Sequence, residues 1–239
     1  AQEMVYIDYP NLESGLPTFL QNAVSCNSYT EYGGGCCPDY SNPLLQETII
    51  EFISDFGERY DGDNRIAFIQ LGLIGFWGEW HTYPHTDWFA DDAFQQQIIT
   101  TFDEVFDHTP IQIRYPSQDV GERTIGFHDD SFAYATVGDV SWFFWSRLES
   151  TGTTSQWTHS PMGGEIYPAL QQDLFSSSYE VGEYSQDFET IVDITHATYM
   201  LNYKAFNGND TGYIGEQLDQ AMQASRNMGY EYTVEEINV

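Results

Sequence analysis

An apolar run that passes directly into aromatic and charged residues constrains the fold of this chain more than any other segment. Residues 65–76 read RIAFIQLGLIGF, and residues 77–81 continue as WGEWH. A nearly unbroken apolar run is typical of a strand that is covered on both faces of a parallel sheet. Because ligands bind at the carboxyl ends of such strands, Glu79 and His81 stand where a catalytic or binding group is expected.

The order of the segments predicts an α/β fold. Strand-like and helix-like segments alternate, which is typical of a parallel sheet with helical crossovers. Six strands are predicted, at residues 4–8, 65–76, 110–114, 124–128, 161–165 and 196–202. One helix is predicted to begin at Pro43. Further helices are predicted at 90–107, 186–193 and 214–228, with a short one near 142–145. A closed (β/α)8 barrel has eight strands in about 250 residues, so the sequence predicts a TIM-type barrel that lacks about two N-terminal βα units.

Residues 1–229 are predicted to form this barrel domain, and residues 230–239 alternate like the start of a C-terminal β-rich segment. The missing units leave three alternatives open. They belong to a separate partner chain, or to a further segment of this chain, or the barrel is incomplete. A barrel without all its strands exposes edges that a partner must cover.

The charge balance excludes one class of partner. The chain has 37 acidic and only 7 basic side chains, for a formal net charge of −30. Nucleic acid is therefore not a predicted partner, because no Lys/Arg stripe exists to displace phosphate counterions. The acidic residues are spread along the whole chain, as on a solvated acidic surface, which favours a secreted protein in an extracellular setting. No apolar run approaches the length of a membrane span.

Three cysteines, Cys26, Cys36 and Cys37, lie close together in a predicted loop. A structural zinc site needs four ligands, so one disulfide is the better interpretation and no metal site is predicted. Cys26 pairs with either Cys36 or Cys37, and the sequence leaves this choice open. No phosphate loop, dinucleotide fingerprint or nucleophile elbow is present, so no organic cofactor is predicted.

Two glutamates are predicted to share one end of the barrel. If residues 196–202 form the eighth strand, Glu79 follows the fourth strand and Glu165 ends the seventh. Glycoside hydrolysis uses such a pair of carboxyl groups. The two glycines before Glu165 would bring its backbone close to a ligand. The alternative for Glu79 is a surface carboxylate or a structural partner of Arg114, and the alternative for Glu165 is a place in a surface turn.

Further candidates for substrate binding lie near the ends of the predicted strands. Three adjacent residues, His128, Asp129 and Asp130, could hold a divalent ion, but hydrogen bonding to sugar hydroxyls is the favoured interpretation, with a structural polar network as the alternative. Arg114 is predicted to orient a carboxylate, either Glu79, Asp129 or an acidic sugar, and the alternative is a structural ion pair. The complete set of predicted substrate-binding residues is Trp77, Trp80, His81, Tyr83, Arg114, His128, Asp129, Asp130, Tyr167, His196 and Asn202.

Four motifs together carry a family resemblance: WGEWHTYP at 77–84, GFHDDSFAY at 126–134, GGEIYP at 163–168 and HATYMLN at 196–202. In this order they resemble a group of secreted bacterial glycoside-hydrolase-like barrels that are classed as a domain of unknown function. By analogy with retaining glycosidases, the resemblance implies that Glu79 is the general acid/base and Glu165 the nucleophile. The indoles of Trp77 and Trp80 would then supply the apolar wall that raises the pKa of a catalytic acid.

Two functional hypotheses follow from these residues. The first is a secreted glycoside hydrolase that acts on a poly- or oligosaccharide by a two-carboxylate, retaining mechanism. The second is a non-catalytic barrel that binds glycan or serves as a subunit of an extracellular assembly or filament.

Overall fold

The computed structural model describes residues 15–121, 123–205 and 212–229. It divides the chain into two compact units, Ala1–Arg114 and Tyr115–Val239, whereas one domain was predicted over residues 1–229. The predicted strand at 4–8 and the predicted β segment at 230–239 lie outside the described residues.

The first unit contains an antiparallel hairpin where the sequence predicted only a loop. Strand β1 (Cys26–Tyr29) pairs with β2 (Gly35–Pro38). A disulfide joins Cys26 to Cys36 across the hairpin, with their Cα atoms 5.5 Å apart. Cys37 is buried, and its thiol donates to the Pro38 carbonyl. Neighbouring residues of a strand face opposite sides, which explains why Cys36 and not Cys37 pairs with Cys26.

Two helices of this unit agree with the sequence predictions. Helix α1 spans Pro43–Tyr60 and α2 spans Asp92–Val105. The side chain of Asn42 accepts hydrogen bonds from the amides of Leu44 and Leu45, and proline occupies the first turn, so the N-terminus of α1 is capped. The buried residues of α1 recur every fourth position: Leu45, Ile49, Ile53 and Gly57.

The apolar run that dominates the sequence forms a much shorter strand than predicted. Only Ile69–Gln70 is regular strand, β3, and it pairs in parallel with β4 (Ile111–Ile113). The following residues are buried but leave the strand, because Leu73 and Gly75 have positive φ angles of 72° and 81°. A positive φ is incompatible with the extended backbone of a strand.

Asp61 joins the end of α1 to the segment before β4. Its carboxylate accepts hydrogen bonds from the amides of His108 (3.0 Å) and Thr109 (2.8 Å) and lies 3.0 Å from His108 Nδ1. Burial alone raises the pKa of Asp61, but these hydrogen bonds outweigh burial and lower the pKa to about 2. The hydrogen bond to Asp61 raises the pKa of His108.

Replacing Asp61 by Ala is expected to lower the free energy of unfolding by about 2 kcal/mol, because two backbone amides lose a charged acceptor. The ionised carboxylate contributes stability above its unfolded pKa of about 4, and this contribution is lost as the pH falls towards 2. The charged His108 contributes below about pH 6.5, and its share is lost as the pH rises through its raised pKa. Urea unfolding should therefore show the largest difference between wild type and variant from about pH 4 to 6.5. Asp55→Ala, at an exposed position of α1, is the control, and equal losses in both variants would contradict the prediction.

The second unit is built on three parallel strands in the order β5–β6–β7. They are β5 (Ile125–Phe132), β6 (Met162–Ile166) and β7 (Tyr199–Leu201). His128 lies opposite Gly163, and Glu165 lies opposite Leu201. The helices of this unit are α3 (Gln118–Gly121), α4 (Phe144–Thr151), α5 (Phe188–Thr195) and α6 (Gly215–Asn227). One buried core includes Phe132, Ile166, Phe188, Ile191 and Ala224.

The prediction of a TIM-type (β/α)8 barrel is wrong. The described residues contain five parallel strands, two in the first unit and three in the second, in addition to the antiparallel hairpin. Barrel closure needs eight strands, and the segment that was predicted to be a loop forms the disulfide-linked hairpin. A partner chain for this protein stays a prediction.

None of the described helices is long and apolar enough to cross a membrane.

Candidate functional site

The loop after β3 presents Glu79 on a strained backbone. Non-glycine residues with positive φ occur at Leu73 (72°), Trp77 (54°) and Trp80 (58°), and Gly75 and Gly78 share this conformation. Each such non-glycine residue costs on the order of 1–3 kcal/mol, so the surrounding contacts must enforce the conformation. Strain of this kind concentrates at catalytic and ligand-binding sites.

Hydrogen bonds from outside and inside the loop hold it in place. The Gly75 amide donates to the Tyr40 hydroxyl (2.8 Å), and the Trp80 indole donates to the Leu71 carbonyl. A Cβ added at Gly75 would lie 2.6 Å from the His81 amide nitrogen. The turn therefore closes only with glycine at this position.

Glu79 forms a charged cluster with Arg114 and His81. Arg114 Nη1 donates to Glu79 Oε2 (2.8 Å) and to the Glu79 carbonyl oxygen (2.9 Å). Arg114 directly follows β4, so the neighbouring parallel strands β3 and β4 bring both residues to one end of the pair. The side chains of Glu79, Arg114 and His81 are 28%, 15% and 21% exposed, which leaves the cluster shielded but accessible. This contact agrees both with the predicted role of Arg114 in orienting a carboxylate and with the alternative of a structural ion pair.

The hydrogen bonds of His81 define how it meets Glu79. The Tyr83 amide donates to His81 Nδ1 (3.2 Å), so Nδ1 carries a lone pair and Nε2 carries the proton. His81 Nε2 lies 3.2 Å from Glu79 Oε2, which makes it a second donor to that oxygen. Glu79 Oε1 accepts no hydrogen bond from the part of the chain that the structure describes. Glu79 therefore has one carboxyl oxygen held by two donors and the other available.

The aromatic candidates in this loop have different surroundings. Trp77 is half-buried, with its ring centroid 6.5 Å from that of His81 and 4.9 Å from that of the exposed Tyr32. Tyr83 is exposed. Trp80, in contrast, is 4% exposed and packs in the core. Trp77 and Tyr83 are accessible to a ligand, whereas Trp80 supports the loop from inside.

Glu165 in the second unit is positioned by a buried glutamine. Gln171 Nε2 donates to Glu165 Oε1 (3.1 Å) and to the Ile166 carbonyl (2.9 Å). Gln171 is 2% exposed, its Oε1 accepts from the Tyr203 amide (3.2 Å), and its carbonyl accepts from the Tyr213 hydroxyl. The sequence analysis missed Gln171, because a single glutamine outside any motif carries no signal of a positioning role.

The three candidates within β5 do not form one cluster. His128 Nδ1 lies 2.7 Å from Asp130 Oδ1, and both side chains are nearly buried. The Asp129 carboxylate accepts instead from the Ser131 amide (3.0 Å) and the Thr136 hydroxyl (2.8 Å), and so holds the turn after β5. Neighbouring side chains of a strand point to opposite faces, which separates Asp129 from the other two.

Within the described ranges, no group of three or more His, Cys, Asp and Glu side chains is arranged to hold a metal ion.

Two other candidates lie at the carboxyl ends of the strands of the second unit. Tyr167 follows β6, and its ring stacks on Tyr134 with centroids 4.5 Å apart. Asn202 follows β7, but its side-chain amide donates to the Tyr213 hydroxyl (2.9 Å). Its Oδ1 accepts hydrogen bonds from the backbone amides of Lys204 and Ala205. Asn202 therefore shapes its own loop, and Tyr167 presents an aromatic ring.

His196 lies at the other end of the strands. It follows α5 and precedes β7, so it is at the amino end of the strands, opposite Glu165. Its ring stacks on Trp157, with centroids 3.7 Å apart. The structure therefore does not bring His196 to Glu165.

Comparisons with known proteins add no family to these observations. No protein-family model matches the sequence, and searches of curated proteins and of solved structures found no match. The family resemblance of the four motifs stays a prediction, and the functional argument depends on the residues around Glu79 and Glu165.

Proposed function

We propose that the protein is a secreted glycoside hydrolase that cleaves a poly- or oligosaccharide by a two-carboxylate mechanism with retention of configuration. The observation that carries this proposal is the geometry of Glu79. Its Oε2 is held by Arg114 and His81, while its Oε1 is available on a strained, partly exposed loop. A carboxylate nucleophile has these properties, since it attacks with one oxygen while the other is fixed.

These contacts favour a different role for Glu79 from the one that the resemblance implied. The acid/base role depended on apolar indoles around the carboxyl group, but the Trp80 ring lies in the core. Arg114 carries a permanent positive charge beside Oε2. Because protonation of Glu79 would weaken this ion pair, we assign Glu79 as the nucleophile.

Glu165 is then the general acid/base. It is the last but one residue of β6, is half-buried, and stands two residues before the accessible Tyr167. Gln171, a neutral donor, orients one of its oxygens.

The Cys26–Cys36 disulfide supports the secreted part of the proposal, because disulfides persist in oxidising extracellular compartments. The net charge of −30 is also typical of a protein that stays dissolved in a saline medium.

The proposal predicts that the purified chain hydrolyses at least one neutral polysaccharide or oligosaccharide and that the first product keeps the anomeric configuration of the substrate. A glycan panel with detection of reducing ends finds the substrate, and proton NMR of the fresh product reports its anomer. Inversion would rule out a covalent intermediate on Glu79.

A non-catalytic glycan-binding protein is the second candidate, because aromatic side chains are exposed near strand ends in both units, as at Tyr83 and Trp142. The same panel separates the two candidates. Binding by calorimetry without release of reducing ends from any bound glycan would favour this second function and reject the first.

A further inference from the structure

Four aromatic rings of the second unit form a continuous row. We call the following residues the aromatic row: Tyr167, Tyr134, Tyr184 and Trp142. Successive ring centroids in this order are 4.5, 5.7 and 6.0 Å apart. Tyr167 and Trp142 were candidates from the sequence as stacking aromatics, whereas Tyr134 and Tyr184 were not.

The row is fixed by the backbone. Tyr134 and Tyr167 follow the neighbouring parallel strands β5 and β6, so both stand at the carboxyl end of the sheet of this unit. The Ala135 amide donates to the Tyr184 carbonyl (2.8 Å), which ties the segment of Tyr184 to the turn after β5. The Trp142 carbonyl accepts from Arg147 Nε (3.1 Å) at the start of α4. Binding to the row would therefore need little ordering of the protein.

The exposure of the row suits stacking against a ligand. Trp142 is 49% exposed, and the three tyrosines are half-buried. Aromatic side chains present a large apolar face together with a polar tip. A sugar ring has the complementary pattern, with C–H groups on its faces and hydroxyls at its edge. The row begins two residues after Glu165, so a chain bound along it would end beside that carboxyl group.

The charges around the row narrow the ligand class. Exposed acidic residues, Asp139 and Glu183, lie next to it in sequence. The hydrogen bond and the negative charge of Glu183 raise the pKa of Tyr184, so the negative field reaches the rings themselves. Uronic acids or sulfated sugars would meet a like charge beside Tyr184, whereas Arg147 is the cation at the Trp142 end of the row.

We infer that the aromatic row is a binding subsite for a neutral oligosaccharide chain, with Trp142 as its outer stacking surface. The inference rests on the proposed function for the chemical class of the ligand, but it concerns binding and not bond cleavage.

The test compares Trp142→Ala with Trp157→Ala, whose indole is similarly exposed (40%) but lies at the amino end of the strands. Both are made in the full chain with Glu79→Gln, so that ligands are not consumed. Calorimetry measures the Kd for hexasaccharides of glucose, xylose and mannose, for an anionic hexagalacturonate and for a proline-rich peptide. Trp142→Ala is expected to raise the Kd for the best neutral ligand about tenfold or more, and Trp157→Ala to change it less than about twofold. Trp142→Phe, which keeps an aromatic face, is expected to recover most of the affinity.

The outcomes separate this inference from the proposed function. Equal Kd values for Trp142→Ala and its parent would overturn the inference, as would binding of hexagalacturonate or the peptide in preference to every neutral hexasaccharide. Absence of binding to any neutral hexasaccharide would also overturn it, even if the wild-type chain hydrolyses a glycan. Binding that depends on Trp142 but is not accompanied by hydrolysis in the wild type would support the inference and reject the glycoside hydrolase.

Discussion

Glu79→Gln is expected to lower kcat for glycan hydrolysis by about 10⁴-fold or more, the size of effect seen when a covalent nucleophile is removed. Glutamine is nearly isosteric, and its side-chain oxygen still accepts hydrogen bonds from Arg114 and His81. The loop should therefore keep its shape, and circular dichroism and the melting temperature are expected to change little. Loss of the negative charge, and not loss of structure, then accounts for the loss of activity.

The leaving group distinguishes the role of Glu79 from that of Glu165. The dinitrophenolate of a dinitrophenyl glycoside leaves without a proton from the enzyme, so Glu165→Gln should still form the glycosyl-enzyme on this substrate, whereas Glu79→Gln should not. On natural glycans, Glu165→Gln is expected to lower kcat by about 10²- to 10⁴-fold. Added azide should speed the breakdown of the glycosyl-enzyme in Glu165→Gln, because azide attacks the glycosyl-enzyme without a general base.

Glu47→Gln, at an exposed position of α1, is the control and should match the wild type. A burst of dinitrophenol from Glu79→Gln and none from Glu165→Gln would reverse the two roles and restore the assignment that the family resemblance implied. Unchanged turnover on natural glycans in both variants would remove both residues from the mechanism.

The sequence predicted the elements whose signals are local and repeated. The start of α1 was found from Pro43, and its buried residues recur every fourth position, as helical periodicity requires. The predicted strand at 161–165 matches β6 (Met162–Ile166), and the helix at 214–228 matches α6 (Gly215–Asn227). In each case, the pattern and its end signals lie within one segment.

The missed elements depend on contacts between distant residues. The hairpin of β1 and β2 consists mostly of polar residues, and a disulfide joins its strands. The sequence therefore lacks the alternating apolar pattern that predicts a strand. The run at 65–76 was predicted as one long strand, because a buried irregular segment has the same apolar composition as a buried strand. Positive φ at Leu73 could not be anticipated, since leucine rarely adopts it.

The candidate site was predicted in part for a similar reason. The topological rule that parallel strands bring their carboxyl ends together was sufficient to associate Glu79 with Arg114. The rule does not determine which way a side chain faces. Trp80 follows β3 as Glu79 does, but its ring is buried in the core. Asp129 lies within β5, and its carboxylate holds the turn after that strand.

The two glycines before Glu165 show a further difference between expectation and structure. They were expected to bring the backbone close to a ligand. A Cβ added at Gly163 would instead lie 2.4 Å from the Tyr199 ring, and one added at Gly164 would lie 2.0 Å from the Asp129 carbonyl oxygen. Both glycines are needed for close packing between the neighbouring strands β5, β6 and β7.

Gly164→Ala is accordingly expected to destabilise the second unit by about 3 kcal/mol, because the atom in the way belongs to the backbone and β5 must move to admit a methyl group. Asp129 lies opposite Gly164 in the strand register and holds the turn after β5 through Ser131 and Thr136. A shift of β5 would thus disturb that turn as well. Thermal unfolding should show a melting temperature lower by roughly 6–12 °C.

Gly229→Ala is the matched control, since a Cβ there has no neighbouring atom within 4 Å, and its effect should stay within about 0.5 kcal/mol. If Gly164→Ala has the same melting temperature as the wild type, β5 and β6 are not packed as closely as the register requires. If it melts lower but keeps full hydrolytic activity at low temperature, the glycine serves the sheet alone. A selective loss of activity without a loss of stability would instead support the earlier expectation that Gly164 lets a ligand approach the backbone beside Glu165.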